Sequence, residues 1–294
     1  MTTPLIETES SPDAGKLLLV ALEERWEKYR TELKRCRDEF SNEAVHDLRV
    51  AARRMLALIK LLNSIDPHPR LKKLSRAFKD QLDEFDELRD TQVILAELSE
   101  IMQELPQLQD FQKYLQSSEE RLLRELRKTV KHLETSEITK RIRKTQEAIE
   151  DGENDELESQ ILQAVDDAFL HVRQRLSNVD FAHPATIHRV RVAFKSFRYM
   201  VEIASPLLPG FPEQNFKRMN DYQSLMGEIQ DAEVFTQTLS DFIRRLALSN
   251  PAPVRRYEEQ RHADVLSAFK KKMQKLDTFW RVSPEQPFPW EKPE

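Results

Sequence analysis

The sequence predicts an all-α protein made of two similar antiparallel helical bundles, and three observations carry that expectation. Glycine fills only 4 of 294 positions, so the glycine-dependent turns of barrels, sandwiches and nucleotide-binding loops have almost no raw material. Most stretches between prolines repeat apolar residues at helical spacing, in a chain that is 33% charged. A motif-bearing segment of the first half recurs at a nearly fixed displacement in the second. The 39% hydrophobic content of 294 residues suffices for a sizeable core.

Prolines mark the element boundaries. Pro12 precedes a helix over 14–38, and a second helix over 43–65 stops before Pro67. Between Pro69 and Pro106 the pattern reads as one helix over 70–104, followed by helices over 108–133 and 138–150. The acidic run from Glu150 through Gly152 and Glu153 to Glu156 reads as a linker. Beyond it come helices over 155–178, 185–204 after Pro184, 213–248 after Pro206, Pro209 and Pro212, and 254–279 from Pro251 and Pro253 onward. From Val282 on, Pro284, Pro287, Pro289 and Pro293 favour an extended tail. The expected organisation is a helical region over 14–280, with halves at 14–150 and 155–280, and a Pro-rich tail over 281–294.

The duplication rests on two matches. His46-Asp47-Leu48-Arg49-Val50-Ala51-Ala52-Arg53 aligns with His188-Arg189-Val190-Arg191-Val192-Ala193-Phe194-Lys195, 142 positions on. Phe85-Asp86-Glu87-Leu88-Arg89-Asp90 aligns with Met226-Gly227-Glu228-Ile229-Gln230-Asp231, 141 positions on. Two separate matches at nearly one displacement imply an internal repeat.

The net charge of −5 predicts no general affinity for polyanions, but it conceals segregation. Residues 46–79 carry nine Lys or Arg and two acids, whereas 80–110 carry ten acids and only Arg89. At about 100° per residue, His46, Arg49, Arg53 and Lys60 fall within roughly 60° of one another, beside the apolar seam of Val45, Leu48, Ala52, Met55, Ile59 and Leu62. His188, Arg191, Lys195 and Arg198 repeat that stripe next to Ile187, Val190, Phe194, Phe197 and Val201. Arginine's planar, multi-donor head suits phosphate, so several phosphates would neutralise both stripes together. The competing reading is that these cations snorkel or pair with carboxylates, Asp90 and Asp231 being available.

At these residues the chain resembles the CHAD family, the conserved histidine α-helical domain, whose motif has the form H-x-x-R-[VI]-x-x-[RK]-[RK]-x-R near the start of each half. His46, Arg49, Val50, Arg53 and Arg54 match it, as do His188, Arg191, Val192, Lys195 and Arg198. Leu56 and Ser196 stand where the family commonly has further cations. The family's later L-x-x-x-L-G-x-x-x-D-x-x-V pattern is similar to Leu82 through Asp90 and Val93, with Asp86 in place of its glycine. The second copy retains Gly227, Asp231 and Val234. The E-x-E-x-K signature of the CYTH triphosphatase domain often fused to this family is absent, so the chain reads as a stand-alone member.

The resemblance implies a pseudo-symmetric pair of bundles, about four long helices each, around a basic groove or pore that binds inorganic polyphosphate without catalysis. On that reading His46 and His188 are pH-sensitive donors, and Arg49, Arg53, Arg54, Arg191, Lys195 and Arg198 neutralise phosphates. Lys73, Arg76, Lys79 and Lys217, near the starts of the following helices, complete the walls. No cofactor or metal is expected, and the basic helices expose few aromatics for base stacking, which disfavours nucleic acid.

Rival chemistries are thinly supported. Glu43-Ala44-Val45-His46 spells the E-x-x-H of di-iron bundles, but Ala185 stands at the glutamate's place in the second copy. His46-Asp47 is similar to metal-dependent phosphohydrolase motifs, yet Arg189 replaces Asp47 in the repeat. The alternatives to polyphosphate binding are therefore a metal-dependent polyphosphate or nucleotide phosphohydrolase, and a helical protein-interaction scaffold. Cys36, the single cysteine, rules out an internal disulfide and reads as an ordinary helix residue. No run reaches the roughly 20 apolar residues of a membrane span, and Met1 to Asp13 lacks the pattern of a secretory signal. A cytoplasmic protein is expected, associated with polyphosphate granules. A second basic region, Arg121 to Lys144, and the lysines at 270–275 read either as solvated faces or as extensions of the groove.

Overall fold

A computed structural model describes residues 13–152, 154–245 and 250–291. Residues 1–12 of the segment read for a signal, Glu153 of the linker, positions 246–248 of the expected 213–248 helix, and Pro293 lie outside the described residues. The regular secondary structure of the described residues is helical, with no strand among them.

Helix α1, Ala14–Asp38, opens where the Asp13 carboxylate accepts from the Gly15 and Lys16 amides. Ser41 caps α2, Asn42–Ile65, in the same way through the Ala44 amide. Pro69 sits at the first turn of α3, Pro69–Glu84, where its missing N–H has no intrahelical partner to lose. Then come α4, Asp86–Ile101, α5, Gln109–His132, and α6, Ser136–Glu150. The second half contains α7, Leu157–Ser177, α8, Ala185–Ala204, α9, Gln214–Arg245, and α10, Ala252–Lys272.

Three expectations are corrected. The single helix over 70–104 is broken at Phe85, where the chain makes a tight turn and the acids Asp86 and Glu87 open a new helix, matching the positive end of its dipole. The helix over 254–279 stops at Lys272 and tightens into 3₁₀ geometry over Met273–Thr278. The tail is not extended away from the domain. Its prolines exclude a helix, but Trp280, Phe288 and Trp290 form an aromatic cluster, with Trp280 against Phe197 of α8 and Trp290 against Phe211.

The duplicated halves share their core. A large cluster runs from Leu22, Tyr29 and Leu58 through Phe78 into Phe169, Phe194, Phe197 and Trp280, so α1, α2, α3, α7, α8 and the first part of α9 pack around one interior. A second, smaller core joins the far ends of both repeats. There Ile94 and Leu98 of α4 and Phe111 of α5 meet Phe235 and Phe242 of α9 and Val254 of α10. This arrangement brings α2 against both α7 and α8, and the two motif helices become neighbours.

Candidate anion-binding site

Because α2 and α8 pack together with their apolar seams buried, the stripes beside those seams are carried to a common boundary. There Lys195 feels its own burial first, then the charges of Arg53, Arg191, Arg49 and Arg198, and its ammonium is pushed down to about 6. Burial and the neighbouring Arg49 likewise lower Arg53, to about 10. Burial also lowers Arg191, which the charge of Asp231 partly restores. A cluster in which each cation disfavours its neighbours is one that an anion would stabilise.

Three buried polar atoms of the α8 stripe are unpaired. The buried Nδ1 of His188, Nε of Arg191 and Nε of Arg198 have no hydrogen-bond partner. Such orphaned polar atoms cost ~1–3 kcal/mol each, and phosphate oxygens are strong acceptors for them. Arg198 is otherwise engaged: Nη1 donates to Asn220 at 3.3 Å and lies 3.6 Å from Glu202, while the guanidinium sits over the Tyr199 ring. Arg54 reaches the same Glu202 from α2 at 3.8 Å.

The remaining expected residues separate into groups. Arg76 and Lys79 line a cleft of about 450 Å³ between α2 and α3, together with Lys60 and Lys72. His188 lines a cleft of about 310 Å³ with His171, Arg175, Arg189 and, again, Lys60. Lys60 thus stands where the two clefts meet. It belongs to the helical stripe of the first motif, so its spacing from His46, Arg49 and Arg53 is the sequence signal that points to it. Lys73 is elsewhere, in a third cleft of about 500 Å³ with His68, Arg70, Lys140, Arg141 and Lys144. His46 is exposed on the second turn of α2, and Lys217 is exposed on the first turn of α9.

Arg49 is placed differently from its counterpart. Its side chain is only 4% exposed, with Nη2 donating to Asp86 Oδ1 at 2.8 Å and Nη1 to the Leu82 carbonyl at 3.2 Å. The carboxylate-pairing alternative therefore holds at this arginine, through Asp86 rather than Asp90. Burial raises both Asp90 and Asp231 above the usual carboxylate range, and Arg89 opposes that rise in each.

In the other cationic segments four arginines are paired with acids, most of them one turn away on the same helix. Arg121 reaches Glu87 and Glu125, Arg124 reaches Glu120, Arg141 reaches Glu137 and Arg143 reaches Glu147. Lys270 lies over the Phe181 ring. Cys36 is buried, and burial lifts its thiol to about 11, so it is a core residue rather than a nucleophile. Among the described residues no three His, Cys, Asp or Glu side chains gather as ligands for a metal ion, and no helix is long and apolar enough to cross a membrane.

Comparison with solved structures finds the CHAD domain from the plant Ricinus communis at a TM-score of 0.64 and 18% identity, with 95% of this chain and 96% of that chain covered. That likeness concerns the fold. No curated protein matches the sequence. The CHAD domain family model matches residues 20–240, a span that contains both motif helices and the helices packed against them. The duplicated histidine helices, their packing side by side and this match over most of the sequence agree, and the chain belongs to the CHAD family.

Proposed function

We propose that this protein binds inorganic polyphosphate without turning it over, along the boundary between α2, α3 and α8. The observation that carries the reading is the set of three buried, unpartnered polar atoms on α8 beside Lys195, whose ammonium is disfavoured first by burial and then by its arginine neighbours. Membership of a family associated with polyphosphate binding supports it. Arg53, Arg191, Lys195 and Arg198 form the centre, His188 and Lys60 the adjoining wall, and Arg76 and Lys79 the continuation along α3. Arg54 adds charge at the rim. A chain of phosphates, each carrying a negative charge, matches cations strung along helices better than a single small anion does. In this reading the protein works in the cytoplasm, at polyphosphate granules.

Titration calorimetry tests the reading. Long-chain polyphosphate is expected to bind at least about 100-fold more tightly than orthophosphate or ATP, with affinity falling steeply as salt rises because many counterions are released. Equal affinity for ATP and long chains would remove the proposal. Incubation with polyphosphate and Mg²⁺ or Mn²⁺ is expected to release no phosphate above background. Turnover lost on His46→Ala would replace binding by the phosphohydrolase reading.

A further inference from the structure

We propose that Asp86 is a built-in counter-anion that occupies Arg49, so that of the equivalent pair Arg49 and Arg191 only Arg191 is free to take a phosphate. The inference rests on the polyphosphate reading and adds that the duplicated site is functionally one-sided.

The internal repeat supplies the comparison. Arg49 and Arg191 are equivalent, and each lies against an equivalent position further along its repeat, Asp86 at the start of α4 in the first half and Gly227 within α9 in the second. In the first half the guanidinium is held twice, by the Asp86 carboxylate and the Leu82 carbonyl. Asp86 is 58% exposed and Arg49 only 4%, so the carboxylate lies on the solvent side and closes the arginine off. In the second half a Cβ on Gly227 would stand 3.6 Å from Arg191 Nε and 3.8 Å from Nη2. The guanidinium therefore lies against bare helix backbone, and its buried Nε is unpartnered. Asp231 acts on Arg191 through its charge, without a hydrogen bond or ion pair between them among the described residues.

The same difference accounts for the backbone. Glycine weakens a helix interior, yet α9 runs unbroken through Gly227. In the first half Asp86 sits at the start of α4, just after the break at Phe85, where a negative charge is favoured. A carboxylate tethered at that point competes with an incoming phosphate for the same guanidinium fork, and it does so at high effective concentration.

The test uses the full chain and long-chain polyphosphate. Asp86→Asn keeps the side chain's shape and Asp86→Gly copies the second repeat. Each is expected to raise affinity about tenfold and to steepen the dependence of log affinity on log salt by about one. Arg49→Ala in the Asp86→Asn background should erase that gain, and Gly227→Asp should lower affinity as much as Arg191→Ala does. An arginine side-chain NMR spectrum adds a readout without ligand: Arg49 Nε–H exchange should quicken in Asp86→Asn. If both Asp86 variants keep wild-type affinity and salt slope, or if Arg49→Ala in the wild type weakens binding as much as Arg191→Ala, the counter-anion is overturned while polyphosphate binding stands. If neither the wild type nor the Asp86 variants distinguish long chains from orthophosphate, both readings fall together.

Discussion

Replacing Asp166 by alanine is expected to lower the melting temperature by about 3–6 °C, corresponding to a loss of about 2–4 kcal/mol. Asp166 of α7 is 3% exposed and is the anchor of the chain after α10. Its Oδ1 accepts from the Trp280 indole at 2.7 Å and from Arg281 Nε at 2.9 Å, and its Oδ2 accepts from Arg281 Nη2 at 2.6 Å. Trp280 is fully buried, so removing the carboxylate strands an indole N–H and most of a guanidinium inside the protein. Trp280→Phe keeps an aromatic ring against Phe197 and Phe288 and removes one donor, and should be milder. Thermal melts followed by near-ultraviolet circular dichroism measure both. A melting point for Asp166→Ala within about 1 °C of wild type would mean that the tail contributes nothing to the core.

Lys195→Met should move stability and binding in opposite directions. The ordinary lysine value of 10.5 falls to about 6 in the folded protein, through burial and then the charges of Arg53, Arg191, Arg49 and Arg198. Between pH 6 and 10.5 the unfolded chain therefore holds a proton that the folded chain does not, and stability rises with pH across that window. Methionine has nothing to titrate, so the variant should gain on the order of 1–3 kcal/mol at pH 7 and flatten that rise. Polyphosphate would raise the lysine's pKa, so the complex takes up a proton. Affinity should increase as pH falls from about 8 toward 6, a range in which internal phosphates keep their charge. The variant should bind about 10–100-fold more weakly and lose that dependence. Denaturant melts and calorimetry at several pH values decide it. A destabilised Lys195→Met with wild-type affinity would make this lysine a structural residue.

Much of the molecule was legible without coordinates. Helices over 14–38 and 185–204 coincide with α1 and α8 because amphipathic spacing and proline punctuation act within a few residues of chain. The repeat of His46-Arg49-Arg53 as His188-Arg191-Lys195 located both cationic stripes for the same reason: which residues share a helix face depends on the 3.6-residue turn alone. Lys60 lies on that stripe, but its place in the site is not legible from spacing alone, because only the approach of α3 and α7 to α2 gives it two clefts to line.

Sequence by itself thus determined the all-α class, the duplication and the cation-bearing helix faces. Tertiary structure alone decided which cations are spoken for. Arg49 and Arg191 are interchangeable as letters in a motif, yet one is closed off by Asp86, 37 residues away, and the other lies bare against Gly227. It also decided that a proline-rich tail is seated in the core, through contacts 114 and 115 positions apart between Asp166 and Trp280 and Arg281. The physical reason is one of range. Helix periodicity is a local property of the backbone, whereas a hydrogen bond or ion pair requires two groups to come within about 3–4 Å, and that approach is set by how distant helices pack.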